Sequence, residues 1–250
     1  VLESGADLGV IFDTDVDRAA CVDRDGREIN RNRLIALASA IVLEKEKGAT
    51  IVTDSVTSDG LARFINETLG GCHYRYRRGY KNVINEAIRL NREGVNCPLA
   101  METSGHAALR ENYFLDDGAY LMTKLIIRAA QMKKQGKCLS DLISGLEEPY
   151  EAKEIRLHIQ CPDFKAYGSG VIDDLTAWAK KQPGVTLADD NREGVRFSFD
   201  PAHGDGWALL RLSVHDPVLP LNIESAKAGG VQQIEDQLSE FFQAYDQLKA

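Results

Sequence analysis

The stretch Val10-Ile11-Phe12-Asp13-Thr14-Asp15-Val16-Asp17-Arg18 sets an apolar run against three carboxylates at every second position, closed by an arginine. The apolar run reads as a buried strand. Alternate aspartates on a tight loop behind it can turn several hard oxygens toward one point, which suits a divalent cation such as Mg²⁺. An arginine beside them would repel the cation and attract a phosphate, because its planar fork matches phosphate oxygens. Cation and guanidinium together are what phosphoryl transfer uses, where catalysis is mostly positioning and charge stabilisation. The plain alternative is a solvated turn after a strand. A calcium loop of the EF-hand type is excluded, because its sixth position needs Gly and holds Arg18, and its twelfth needs Glu and holds Arg24.

Working outward, Ala19-Ala20-Cys21-Val22 reads as a short strand turning at Asp25-Gly26. A helix is expected over about 31–47, capped by Asn30 or Asn32, with Gly48 at its stop. Thr50-Ile51-Val52-Thr53 is a buried strand, Asp59 to Leu69 and residues 81–93 are helices, and Pro98-Leu99-Ala100-Met101 is a strand running into Glu102. Ala119 to Lys133 forms a long amphipathic helix, and strands alternating with helices give an α/β layer fold. Glu147-Glu148-Pro149-Tyr150-Glu151 reads as a linker. Beyond it, Glu154 to Ile159 and Val195 to Phe199 alternate with period two, and helices are expected at about 168–181 and 227–249. The second part is therefore expected to be a smaller α+β domain with an antiparallel sheet and two helices.

Four further stretches can carry chemistry. Arg75-Tyr76-Arg77-Arg78-Gly79-Tyr80-Lys81 gathers cations around a glycine where a backbone can approach a ligand, although taken alone it reads as a solvated face before it reads as a site. Met101-Glu102-Thr103-Ser104-Gly105-His106 follows a strand, the end at which α/β sheets bind ligands. Its carboxylate, hydroxyl and imidazole could bond vicinal sugar hydroxyls or simply one another. Arg211-Leu212-Ser213-Val214-His215-Asp216-Pro217 leaves a strand into a turn, as a phosphate cradle would. Leu115-Asp116-Asp117-Gly118 is a helix-entry turn with Asp117 as its cap.

The 250 residues are enough for one large domain or two modest ones. Hydrophobic residues at 44% and charged residues at 27% are ordinary for a globular protein. A net charge of −8 speaks against nucleic-acid binding, and an anionic ligand must be captured by local arginines and metal. No apolar segment reaches the ~18 residues of a membrane span, and the N-terminus lacks the basic and apolar parts of a secretory signal. Five scattered cysteines without a CxxC pair suit reduced thiols and a cytoplasmic or organellar-matrix setting. The chain starts without Met and meets its acidic loop at once, so it is expected to be a piece of something longer.

Together the motifs resemble one family, the α-D-phosphohexomutases, which comprise phosphoglucomutases and phosphomannomutases. Asp13-Thr14-Asp15-Val16-Asp17-Arg18 looks like the family's metal loop, Asp-Gly-Asp-x-Asp-Arg, with Thr14 replacing Gly. Glu102-Thr103-Ser104-Gly105-His106 matches its sugar loop, Glu-x-Ser-Gly-His. Arg211-Leu212-Ser213 and Pro217 match the ends of its phosphate loop, Arg-x-Ser-x-Thr-x-Pro, with His215 standing where Thr is usual. Gly79-Tyr80-Lys81 resembles the loop that sets substrate orientation. The likeness runs over nearly the whole chain in the right order and spacing. It implies the end of a second domain at 1–28, a third domain at 29–146 and a fourth at 147–250.

The resemblance also implies an isomerase that moves phosphate between O1 and O6 of a glucose or mannose phosphate through a hexose 1,6-bisphosphate. Asp13, Asp15 and Asp17 would hold Mg²⁺ and Arg18 would face the transferring phosphoryl group. Glu102, Ser104 and His106 would take the sugar, with Gly79, Tyr80 and Lys81 beside it, and Arg211, Ser213 and His215 the distal phosphate. The family's phosphoserine loop, Thr-Ala-Ser-His-Asn-Pro or close to it, does not occur in the sequence. The expected partner is therefore an upstream phosphoserine domain, and the chain alone should bind without turnover. Two other readings compete. A haloacid-dehalogenase-type phosphatase would use Asp13 as nucleophile, Asp15 as acid/base, Thr53 and the Asp116-Asp117 pair. A non-catalytic sugar-phosphate-binding fragment is the other.

Overall fold

The computed structural model describes residues 1–214 and 216–249. They form two compact units, Val1–Glu147 and Glu148–Ala250. The first unit opens with an antiparallel sheet of β1 (Leu8–Phe12), β2 (Ala19–Asp23) and β3 (Glu28–Ile29), in that order. Helix α1 (Arg31–Lys45) follows, then strand β4 (Thr50–Asp54) and the short helix α2 (Asp59–Arg63), which widens into a π turn at Phe64–Thr68. Strand β5 (Cys72–Tyr76), helix α3 (Tyr80–Arg92), strands β6 (Leu99–Met101) and β7 (Ala107–Leu109) and helix α4 (Gly118–Lys133) complete it.

Strands β5, β4 and β6 are parallel, and β7 returns antiparallel along β6 to give the order β5-β4-β6-β7. All five residues of β4 are buried, as expected of the middle strand of a parallel sheet covered on both faces. Helix α1 is buried at every position from Leu34 to Ala40, and its sequence there (Leu-Ile-Ala-Leu-Ala-Ser-Ala) accordingly has no charged face. Its stop is Glu46, two residues short of the expected 48, and Asn30 sits at the N-cap with its side chain donating to Glu28 at 3.2 Å and not capping the helix. The Asn32 side chain is engaged elsewhere, accepting from the Ser58 N–H at 3.2 Å.

Two expectations fail at the surface of this unit. The run Val10-Ile11-Phe12 is not buried, because among the described residues of β1 Leu8 and Val10 pack on the core and Ile11 and Phe12 do not. Ile11 and Phe12 are 56% and 41% exposed. The cationic stretch from Arg75 is a solvated face only in part: Arg77, Tyr80 and Lys81 are exposed, but its first two residues end β5, and Arg75 is buried against the Asp59 carboxylate at 2.7 Å.

The second unit is one antiparallel sheet, ordered β13-β8-β12-β11-β10-β9, with two helices. Its elements are β8 (Glu151–Ile159), α5 (Phe164–Ala179), β9 (Val185–Leu187), β10 (Val195–Phe199), β11 (Gly206–Leu210), β12 (Val218–Ser225), α6 (Gly230–Phe242) and β13 (Leu248–Lys249). Period-two alternation sends Leu157, Phe197, Ala208, Leu210, Leu221 and Ile223 toward Val171 and Leu175 of α5 and Ile234 and Leu238 of α6. Both helices differ from their expected limits. Helix α5 starts early because Asp163 caps it through the Ala166 N–H. Helix α6 stops at Phe242, and Leu248 instead pairs with Ile159 in the sheet, so an apolar stripe that looks continuous is shared between a helix and a strand.

Helix α6 starts behind Gly229, whose φ of +73° favours glycine. Its first amides are capped from another strand, with the Glu151 carboxylate accepting from the N–H groups of Gly229 (2.8 Å) and Val231 (3.2 Å). A charge at a helix N-terminus that satisfies two otherwise unpaired donors stabilises the helix. Glu151→Ala should therefore lower the unfolding free energy by about 1–2 kcal/mol. Urea denaturation checks this, and an unchanged midpoint would remove Glu151 as the cap.

Candidate functional site

The aspartate loop is the connection of the β1–β2 hairpin, entered at Phe12 opposite Ala19. Inside it, the Val16 N–H donates to the Asp13 carbonyl (3.3 Å) and the Asp13 N–H to the Arg18 carbonyl (3.4 Å). This turn puts Val16 at φ +65°, in the left-handed region that a β-branched side chain adopts only under strain. The loop is held there from outside, since the Gly118 N–H at the start of α4 donates to the Val16 carbonyl at 3.2 Å. A side chain at Gly118 would place its Cβ 2.8 Å from that oxygen.

The fold turns the three carboxylates together, with oxygens of Asp13, Asp15 and Asp17 all within 4.8 Å of one another. Arg18 folds back on this cluster, its Nε donating to Asp13 Oδ2 at 2.6 Å and its backbone N–H to Asp13 Oδ1 at 3.2 Å. Desolvation opposes the charge on Asp13, but the hydrogen bonds from Arg18 outweigh it and hold the carboxyl below the usual range. Asp17 moves the other way, raised by desolvation and by Asp15, Asp116 and Asp13 against the pull of His106. Its Oδ1 is shielded from solvent without a hydrogen-bond partner among the described residues. An all-oxygen donor set with an unpaired carboxylate oxygen fits a hard divalent cation, so Asp13, Asp15 and Asp17 are the residues able to hold Mg²⁺.

The Glu102–His106 loop lies at the C-terminal end of β6, beside β4, and folds on its own backbone. The Gly105 N–H donates to the Glu102 carbonyl (3.1 Å) and the Glu102 N–H to the His106 carbonyl (3.0 Å). It joins the aspartate loop directly, because Arg18 and His106 form an antiparallel bridge and the Ala19 N–H donates to the Gly105 carbonyl at 3.4 Å. Gly105 has φ +103°, and a Cβ there would lie 2.9 Å from the Ala19 oxygen, so glycine is required twice over.

Side chains of the loop are already oriented. Glu102 accepts from the Gly79 N–H at 2.5 Å through Oε1 and from the Ser104 hydroxyl at 3.0 Å through Oε2. His106 Nδ1 is 2.7 Å from Asp116 Oδ2 and 3.7 Å from Asp17 Oδ2, and its ring stacks on Tyr80 with centroids 4.8 Å apart. Desolvation lowers the imidazole pKa, but the Asp116 carboxylate more than compensates and raises it. Gly79 and Tyr80 thus border this loop, and Lys81 lies next to them with its Nζ 5.7 Å from the Tyr80 ring centroid.

In the second unit, Arg211 follows β11 directly. Its N–H donates to the Pro220 carbonyl (3.2 Å), and that of Ser213 donates to the Val218 carbonyl (3.0 Å). The Ser213 hydroxyl accepts from the Asp216 N–H at 3.3 Å, and His215 lies outside the described residues.

Within the first unit, then, Asp13, Asp15, Asp17, Arg18, Gly79, Tyr80, Lys81, Glu102, Ser104 and His106 form one connected neighbourhood. Sequence reasoning missed two of its members. Asp116, noticed in the sequence as part of a helix-entry turn and as an acid of the phosphatase reading, is the partner of His106, while Asp117 alone caps α4 through the Tyr120 N–H at 2.8 Å. Asp54 is completely buried under the loop, where it accepts from the Thr103 N–H (3.0 Å) and hydroxyl (2.7 Å). Its only sequence signal is a carboxylate closing an apolar strand. The strain at Val16 yields a stability test. Val16 is 38% exposed, so Val16→Gly loses little burial and relieves a conformation worth about 1–3 kcal/mol. The variant should be within about 0.5 kcal/mol of the parent or more stable, because the relief offsets the ~0.5–1 kcal/mol entropy loss of a glycine. A melting temperature lowered by ten degrees would contradict that.

Residues 30–150 match the family described as phosphoglucomutase/phosphomannomutase, alpha/beta/alpha domain III. A phosphoglucomutase of Neisseria meningitidis is 28% identical over 233 residues, which is 93% of the chain and 46% of that relative. A phosphoglucosamine mutase of Latilactobacillus sakei is 30% identical over 247 residues, 98% of the chain and 48% of the relative. The crystal structure of a phosphoglucomutase/phosphomannomutase family protein from Burkholderia thailandensis superposes with a TM-score of 0.74 at 28% identity, covering 96% of this chain and 47% of that one. The chain thus spans about half the length of the curated relatives it matches. In sequence and in fold, it belongs to the phosphoglucomutase/phosphomannomutase family of phosphohexomutases.

Proposed function

We propose that this chain is the cation- and sugar-binding part of a phosphohexomutase acting on a glucose or mannose phosphate. In this reading residues 1–28 end one domain, 29–146 form the sugar-binding domain and 147–250 the phosphate-binding domain. The observation that carries it is the backbone pairing of the two loops of the first unit. The Arg18–His106 bridge sets an acidic, cation-competent cluster beside a loop whose carboxylate, hydroxyl and imidazole are aimed by neighbours. A phosphatase built on Asp13 has no use for that second loop. A mutase needs both, because it must stabilise a phosphoryl group and grip the sugar that carries it.

Mg²⁺ on Asp13, Asp15 and Asp17 would supply charge stabilisation at the phosphoryl oxygens. Arg18, now paired with Asp13, is placed to exchange that carboxylate for a phosphoryl oxygen when the cation takes the acidic cluster. Glu102 would accept from sugar hydroxyls, and Ser104 and His106 would add a hydroxyl and an imidazole nitrogen that Asp116 leaves free. The stacked Tyr80 closes one side of His106 and limits how a sugar ring can approach it. Arg211 and Ser213 would take the phosphate that does not react, with His215 beside them in sequence. The phosphoryl donor would be a phosphoserine from another segment, so the 250-residue chain is expected to bind hexose phosphate and to return it unchanged.

Phosphorus NMR with Mg²⁺ and glucose 1-phosphate tests the reading. The ester resonance should shift or broaden without release of inorganic phosphate, and Arg211→Ala should weaken binding by about 1.5–3 kcal/mol, the range of a charged hydrogen bond. Accumulating inorganic phosphate that Asp13→Asn abolishes would mean that Asp13 is a nucleophile and would overturn the mutase reading.

A further inference from the structure

Asp54 ends the middle strand of the parallel sheet with no exposed surface. Both of its carboxylate oxygens are committed to one residue of the Glu102–His106 loop, Oδ1 to the Thr103 N–H at 3.0 Å and Oδ2 to the Thr103 hydroxyl at 2.7 Å. Thr103 stands between Glu102 and Ser104, the two residues that would bind sugar hydroxyls in the proposed reading. Those two are bonded to each other, and the far oxygen of Glu102 is bonded to Gly79, so Thr103, held by Asp54, lies between two residues whose side chains are tied together. We propose that Asp54 is the positioning residue of the sugar-binding loop: by gripping Thr103 at backbone and hydroxyl together, it fixes the direction in which Glu102 and Ser104 present their oxygens.

The two-point grip matters more than either bond alone. One hydrogen bond to a backbone N–H lets a peptide pivot about it. A second bond to the side chain of the same residue removes that freedom and fixes the rotamer of Thr103. The anchor ends a strand paired on both sides, by β5 and β6, and so ties the loop to the middle of the sheet. Burial, reinforced by Glu102, pushes the Asp54 carboxyl up to about 6 against the pull of the Thr103 hydrogen bonds and Arg78. Stability alone would favour a neutral side chain at such a place. Asp54 touches no ligand group itself, and its effect passes entirely through Thr103.

This assignment rests on the hexose-phosphate reading of the site, and the test separates the two. Threonine 103 is changed to Val, which keeps the shape and removes the hydroxyl, and to Ser, which keeps the hydroxyl. Asp54→Asn is added, which leaves an acceptor but no charge. Amide hydrogen exchange at residues 103–105 and calorimetric affinity for glucose 1-phosphate with Mg²⁺ are measured on the 250-residue chain. Thr103→Val and Asp54→Asn should each lose about tenfold in loop protection and in affinity, while Thr103→Ser keeps both near the parent. Wild-type protection and affinity in Thr103→Val and Asp54→Asn would overturn the proposal. So would lost affinity with the loop's protection intact, since Asp54 would then act by another route. If the parent chain itself fails to bind glucose 1-phosphate while the loop still loosens in the variants, the hexose-phosphate reading falls and the Asp54 anchor stands.

Discussion

The first unit depends on one short backbone contact, in which the chain leaving the aspartate loop pairs with the chain closing the Glu102–His106 loop. The Arg18–His106 bridge and the bond from the Ala19 N–H to the Gly105 carbonyl are too few to make a sheet. They are enough to stop the loops from moving separately. The geometry tolerates only glycine at position 105, both for its φ and for the approach of the Ala19 oxygen. A third constraint comes from the start of α4, where Gly118 holds the strained Val16 peptide in place. The cost of that strain is borne locally, and its result is three carboxylates turned toward one point.

Electrostatics then divides these acids by neighbourhood. Asp13 is kept ionised by the arginine that folds onto it, whereas Asp17, crowded by Asp15 and Asp116 and partly desolvated, is pushed toward protonation. A cation would relieve that crowding, and His106 relieves part of it already. Asp54 is the extreme case, an acid with no exposed surface whose value lies in what it holds. The second unit is organised by different physics. Period-two alternation loads one face of an antiparallel sheet with apolar side chains, and Arg211 and Ser213 are offered where the chain leaves β11.

Much of this could be read from the sequence where the signal is local. Three aspartates at alternate positions, a glycine between serine and histidine, and an all-β-branched Thr-Ile-Val-Thr strand each carry their own meaning. The parts that misled depend on neighbours. Val10-Ile11-Phe12 looks like a buried strand, but Val10 packs on the core while Ile11 and Phe12 are exposed, and three apolar residues do not report which layers cover a strand. Arg75 looks solvated among cations, yet β5 carries it into contact with Asp59. The stripe from Val231 to Leu248 has helical spacing throughout, yet the helix ends at Phe242 and Leu248 completes the sheet. The pairings of Asp54 with Thr103 and of Asp116 with His106 leave no mark in the sequence, because the partners lie 49 and 10 positions away. No periodicity reports such pairings.

The central claim is that the aspartate loop and the Glu102–His106 loop form one cation-linked site, and paramagnetic NMR tests it most directly. Mn²⁺ titrated into the ¹⁵N-labelled chain should broaden the amides of residues 13–18 and 103–106 together, at low metal occupancy and ahead of other acidic surface positions. Asp15→Asn should remove the effect from both loops at once. Broadening confined to residues 13–18, or spread over unrelated surface carboxylates with both loops untouched, would contradict the account.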